Sequence, residues 1–163
     1  MKKIKARFNV NHEKITLLTE PNRTLLEVLR EDLDLIGAKE GCGEGACGSC
    51  VVLLDGAPVR SCLTLALEAA ESEIVTVEGL AEESGFTEKE RLDPLQEAFI
   101  EHGAVQCGFC APGMLMSAKG LLLKNPTPDE NRIRRAISGN ICRCTGYAKI
   151  VDAISSVAEK NKD

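Results

Sequence analysis

Tryptophan is absent from this sequence, tyrosine occurs once, and aromatic residues make up only 3% of its 163 positions. That scarcity argues against a stacking platform for nucleobases or for a large planar ligand. An excess of basic charge is missing too. The 20 Lys and Arg stand against 25 Asp and Glu, a formal net charge of −5, which disfavours nucleic acid or an anionic membrane as the main partner. No apolar run is long enough to span a bilayer. The basic start MKKIKARFNV is followed by no apolar stretch of the kind a secretory signal carries, so a cytoplasmic setting is the expectation. The rest of the composition, 44% hydrophobic and 28% charged, is that of a soluble globular protein of one domain or two small ones.

What the sequence does have is eight cysteines. Disulfides need an oxidising compartment, so in a cytosolic chain this many thiols point to metal binding or redox chemistry. They fall into two groups of four with none left over. Cys42, Cys47, Cys50 and Cys62 are spaced C-x4-C-x2-C-x11-C, and Cys107, Cys110, Cys142 and Cys144 are spaced C-x2-C-x31-C-x-C. Four thiolates suit zinc or an iron–sulfur cluster. Structural zinc sites present paired knuckles, whereas Cys62 stands alone, and C-x4-C-x2-C with a distant fourth Cys is the plant-type arrangement for a 2Fe–2S cluster. Residues 40–50 include four glycines among eleven residues, small enough to fold around a cluster and turn N–H groups toward its sulfurs. The second group is less specific by spacing alone. A C-x2-C pair also fits a redox dithiol, but that leaves Cys142 and Cys144 without a role. C-x-C is too tight for the usual zinc knuckle, and a second iron–sulfur site accounts for all four.

The segments around these groups differ in period. Residues 3–10 and 15–18 alternate as strands about a turn at Asn11-His12-Glu13, and Thr24-Leu25-Leu26-Glu27 is a capping box opening a helix to about Asp32. Residues 51–54 and 57–59 flank an Asp55-Gly56 turn, and 73–77 read as a further strand. From about residue 90 the pattern is helical. Asp93-Pro94-Leu95-Gln96 and Thr127-Pro128-Asp129-Glu130 both read as an N-cap followed by Pro. Leu115, Ala118 and Leu122 form one apolar stripe, and Ile150, Ile154 and Val157 form another. Four helices with short connections are expected. Helix starts at Pro112 and after Thr145, read as an N-cap, would put ligands where a helix N-terminus favours an anionic group. The polar stretch 78–89 reads as a linker.

Three stretches, EGCGEGACGSC (40–50), QCGFCAPGM (106–114) and GNICRCTGY (139–147), resemble the iron–sulfur subunits of the molybdenum hydroxylase family. That family includes xanthine dehydrogenases, aldehyde oxidoreductases and carbon monoxide dehydrogenase. The resemblance covers nearly the whole chain and matches all eight cysteines in order and spacing. It implies an α+β chain: an N-terminal ferredoxin-like β-grasp domain (1–78), a linker (79–89) and an all-α four-helix-bundle domain (90–163). Each domain would bind one 2Fe–2S cluster through its four cysteines. The resemblance further implies an electron-transfer subunit with no substrate site of its own. It would sit between a large molybdopterin-binding subunit and, in many members, an FAD-binding medium subunit, in a heterotrimer or its dimer. Gln106 would hydrogen-bond the pterin, Cys144 would be the ligand closest to it, and Gly43 and Gly45 would form the tight backbone around the first cluster. Ala111 stands where the family commonly has Thr, so the next helix is expected to lose a cap worth about 1 kcal/mol. Ile141 replaces a common Leu without chemical consequence.

The remaining candidates carry less. His12 and His102 lack ligand spacing and read as surface or turn residues. Met114 and Met116 read as helix packing rather than copper or haem ligands, and Arg132, Arg134 and Arg135 as a solvated face. Tyr147 reads as a packed residue behind the second cluster, and Ser49 has no base to make it a nucleophile. Two other functions compete with the subunit reading. One is a free-standing two-cluster ferredoxin-like carrier, against which the helical segments count. The other is a zinc-stabilised adaptor, which colour and iron content separate from an iron–sulfur protein.

Overall fold

The computed structural model describes residues 2–83 and 92–161. The alternation at the start becomes an antiparallel hairpin, β1 (Ile4–Val10) with β2 (Glu13–Thr19), turning through Asn11 and His12, which both take positive φ. Thr24 caps α1 (Leu25–Glu27): its hydroxyl accepts the Glu27 N–H while the Glu27 carboxylate accepts the Thr24 N–H. The helix runs on as a π-helical turn over Val28–Asp32, ending where the sequence predicts. β3 (Val51–Leu54) and β4 (Ala57–Arg60) pair about Asp55 and Gly56. β5 (Glu73–Val75) is shorter than the sequence predicts, and Val77–Gly79 form a 3-10 turn instead. The Thr76 N–H donates to Asn11 Oδ1 rather than to a neighbouring strand, which ends the ladder there.

The strands form one mixed sheet in the order β2-β1-β5-β3-β4, with β1 and β5 parallel and the other pairs antiparallel. Both faces are covered. On one, Phe8, Val10, Val52 and Ile74 pack against Leu25, Leu26 and Leu29. On the other, Val51, Leu53 and Val75 join a core made by helices. Side chains alternate across a strand, so β3 sends Val52 into one core and its two neighbours into the other.

The helical core is built from α2 (Leu80–Glu83), α3 (Pro94–Glu101), α4 (Ala111–Lys124), α5 (Glu130–Ile137) and α6 (Ala148–Lys160). The predicted stripes are buried: Leu115, Ala118 and Leu122 on α4, Ile150, Ile154 and Val157 on α6. Met114 and Met116 are packed in the same core. α3 lies on α6, and α4 lies on α5 and on β3. Asp93 caps α3 in a capping box with Gln96, as its sequence predicts, and its other oxygen meets Lys119 Nζ at 2.8 Å.

Three helix starts differ from expectation. α5 is capped by Asp129, whose carboxylate reaches the Arg132 N–H, and not by Thr127. α4 begins at Ala111 with Cys110 as its N-cap, so Ala111 already lies in the first turn and the expected capping loss does not arise. α6 begins at Ala148 after Tyr147, which takes a left-handed conformation, and Thr145 does not cap it. The stretch read as a linker opens with helical turns from Val77 to Glu83; its part from residue 84 onward lies outside the described residues. Among the described residues no helix is long and apolar enough to cross a membrane.

Candidate metal centres

The first cysteine loop starts from a pinned backbone. Arg30 donates to the carbonyls of Ile36 and Ala38, Lys39 to those of Ile36 and Gly37, and the Gly37 N–H donates to Glu78. Gly43 and Gly45 follow with φ of +67° and +78°, a region L side chains avoid. This winding lets the N–H groups of Ala46 and Cys47 donate to Cys42 Sγ at 3.3 and 3.4 Å. Cys50 precedes β3 and Cys62 follows β4, so the β3–β4 pairing brings their sulfurs to 3.3 Å. The Cys47 N–H, with help from that of Glu44, pulls the Cys42 thiol down to about 7. Burial pushes Cys62 up to about 11, and the neighbouring Cys50 thiol adds to the rise.

The second quartet lies on two helix connections. Cys107 and Cys110 sit between α3 and α4, and Cys142 and Cys144 between α5 and α6. The Cys107 and Cys144 sulfurs are 3.6 Å apart and both residues are exposed. Cys110 and Cys142 pair behind them, less exposed. Thr145 turns to Cys142: its hydroxyl lies 3.1 Å from the sulfur and its N–H donates at 3.4 Å. The Tyr147 hydroxyl accepts the Cys142 N–H at 2.7 Å and donates to the Asn140 carbonyl at 3.1 Å. Burial pushes Cys110 up to about 12. Burial acts the same way on Cys142, but donation from the Thr145 hydroxyl and N–H outweighs it and brings that thiol to about 7. The Phe109 N–H lowers Cys107, whereas the adjacent Cys107 thiol raises Cys144.

Gln106, Cys107 and Cys144 line one shallow cleft with Val105 and Thr145, so Gln106 and Cys144 share an edge. The histidines take other places: His12 lies 2.9 Å from the Glu73 carboxylate, and His102 closes α3. Ser49 is buried, and Arg132 and Arg134 pair with Asp129 and Glu130 on their own helix. Among the described residues no three or more His, Cys, Asp or Glu are grouped to hold a single metal ion. The sulfurs stand instead in close pairs, Cys42 with Cys47, Cys50 with Cys62, Cys107 with Cys144 and Cys110 with Cys142. Soft thiol donors in pairs, with backbone N–H groups aimed at the sulfurs, fit a 2Fe–2S cluster in each quartet. Sequence reasoning misses Thr145 as a sulfur partner, and also misses Arg60 and Asn140. Arg60 donates to the Gly139 carbonyl and Asn140 to the Gly48 carbonyl. Of these, only Thr145, sitting next to Cys144, carries a local signal.

Residues 8–81 match the family described as a 2Fe-2S iron-sulfur cluster binding domain, and residues 76–155 match a second, described as a 2Fe-2S binding domain. The nicotinate dehydrogenase small FeS subunit of Eubacterium barkeri is 51% identical over 160 residues, covering 98% of each chain. The chain belongs to the iron–sulfur subunit family of the molybdenum hydroxylases. Another relative of this iron–sulfur subunit, the nicotine 6-hydroxylase small subunit of Paenarthrobacter nicotinovorans, is 47% identical over 93% of this chain and 88% of its own. The fold agrees as well. A chain in the crystal structure of quinoline 2-oxidoreductase from Pseudomonas putida 86 superposes with a TM-score of 0.90 at 44% identity, over 99% of this chain and 98% of that one.

Proposed function

We propose that the chain is the electron-transfer subunit of a molybdenum hydroxylase complex. Cys42, Cys47, Cys50 and Cys62 hold one 2Fe–2S cluster, and Cys107, Cys110, Cys142 and Cys144 hold the other. A cluster bound in each quartet supplies one-electron storage and release. The chain's own residues provide thiolates, N–H donors to the sulfurs, and fixed loops. The observation that carries this reading is the asymmetry of the second quartet: Cys107 and Cys144 face solvent beside Gln106, while Cys110 and Cys142 lie deeper.

An exposed ligand edge next to a side chain that both donates and accepts suits a docked pterin, with Gln106 binding its mixed hydrogen-bonding rim. Such a pterin would be molybdopterin in a large subunit, which also selects the substrate. An FAD-binding subunit would lie toward the first cluster, in a heterotrimer or its dimer in the cytoplasm. The ferredoxin-like part is assigned to residues 1–78 and a four-helix bundle to 90–163, joined through 79–89.

The chain purified from its native source should come with a much larger molybdenum protein and hold four irons. Isolation as a free two-cluster protein would favour the independent carrier. Gln106→Leu keeps the size and removes both polar groups. Both clusters should assemble normally in this variant, while substrate-driven reduction of the second cluster slows by the equivalent of about 1–3 kcal/mol, one or two hydrogen bonds. A fall in cluster assembly or thermal stability with no selective effect on that reduction would make Gln106 a turn residue only. EPR spectra and rapid-reduction kinetics of the reconstituted complex distinguish the two.

A further inference from the structure

Three consecutive residues ahead of Cys142 are bonded to the first cysteine loop and to the end of β4. The Gly139 carbonyl accepts from Arg60 at 3.2 Å, Asn140 Nδ2 donates to the Gly48 carbonyl at 3.0 Å, and the Ile141 N–H donates to the Cys47 carbonyl at 2.8 Å. Asn140 is 4% exposed, and its Oδ1 accepts from the Ser117 hydroxyl of α4 at 2.8 Å. That bond fixes which end of the amide faces Gly48. No room is left between the loops: a Cβ on Gly48 would run into the Gly139 carbonyl, and one on Gly113 into the Gly48 carbonyl.

We propose that Asn140 is a positioning residue shared by both cluster sites, holding the first-quartet loop against the second and so setting the spacing across which an electron passes between the clusters. The inference rests on the proposed function in requiring a cluster at each site. One electron leaves the reduced cluster and arrives at the oxidised one, and no bond is made or broken. Without the Asn140 amide, the Gly48 carbonyl would keep only the Val51 N–H, the Ser117 hydroxyl would lose its Asn140 acceptor in a buried place, and the contact between the loops would loosen.

The test compares wild type, Asn140→Ala and Asn140→Asp, each loaded with iron. It reads iron content, the spin–spin splitting in the EPR spectrum of the fully reduced protein, and hydrogen exchange at the Ile141 amide. Asn140→Ala should change the splitting and speed Ile141 exchange about tenfold, the equilibrium effect of losing roughly one net hydrogen bond. Loss of iron from the first site alone, caused by a substitution in the second loop, would also support the proposal. Loss confined to the second site would overturn it, as would unchanged splitting and unchanged exchange. If Asn140→Ala does not fold, Asn140→Asp is judged by the same criteria, because it keeps the acceptor for Ser117 and loses the donor to Gly48. A wild type without two clusters overturns the proposed function and this inference together. A two-cluster wild type with an indifferent Asn140 overturns this inference alone.

Discussion

Cys62 and Cys110 are the thiols that burial protects from ionisation, at about 11 and about 12, whereas Cys42 and Cys142 stand at about 7. At neutral pH the first two are protonated in the metal-free chain. Metal takes the thiolate, so each must give up its proton on binding. A raised value means that protons compete with metal at every pH below it, so affinity strengthens as pH rises from about 7 toward 11. Cluster assembly on the iron-free chain, followed by its charge-transfer absorption, should tighten over that range and acidify a weakly buffered solution. Assembly that ignores pH would mean the thiols are already ionised. The proposed cysteine quartets are legible in the sequence because the spacing of cysteines is a local property of the chain. Asn140 and Arg60 are not, because each acts on a carbonyl that lies 92 or 79 residues away. Thr145 is misread for a related reason: a hydroxyl near a helix start suggests a cap, but here the sulfur of Cys142 competes for it and α6 starts later.

Among the elements, α1 matches its sequence signature down to both hydrogen bonds of its capping box, as α3 does. The Thr24 N–H, chiefly, holds the Glu27 carboxyl below its ordinary value of 4.5. A depressed folded value contributes stability that is complete above the unfolded pKa and is lost as pH falls through the folded one. Thr24→Ala should therefore lower unfolding stability at neutral pH by about 1 kcal/mol. The difference between wild type and Glu27→Gln should shrink as the solution is acidified below 4.5, the ordinary value of the group. Urea denaturation at several pH values checks both, and a constant difference across that range would show that the carboxylate contributes nothing. The helix starts that depart from expectation have local causes, but at the end of β5 a distant partner is responsible. Val77 fits a strand by its own preference, but Asn11, from the hairpin at the other end of the sequence, takes the Thr76 N–H and stops β5.

On the whole molecule, three exposed apolar side chains lie within two residues of a second-quartet cysteine and are open to a partner: Val105 at 41% exposure, Phe109 at 46% and Ile141 at 58%. A residue of Phe109's size in a desolvated partner interface typically anchors it. Phe109→Ser should weaken association with the large subunit by about 1 kcal/mol or more and leave the iron content unchanged. Native mass spectrometry of the mixed subunits reads the first, and equal association would remove this face from the contact. The sequence pattern separates a strand-rich half from a helical half, and the family resemblance anticipates a cluster in each. What neither contains is that the halves share a sheet, because alternation in β3 looks the same whether its second face meets water or helices. Since β3 lends Val52 to one core and Val51 and Leu53 to the other, the chain offers no clean cut point. A gene rearrangement carrying only residues 1–78 would strip the helices from Val51, Leu53 and Val75 and hand its host a sticky sheet. Such a fragment would need either the helices or another apolar surface over that face.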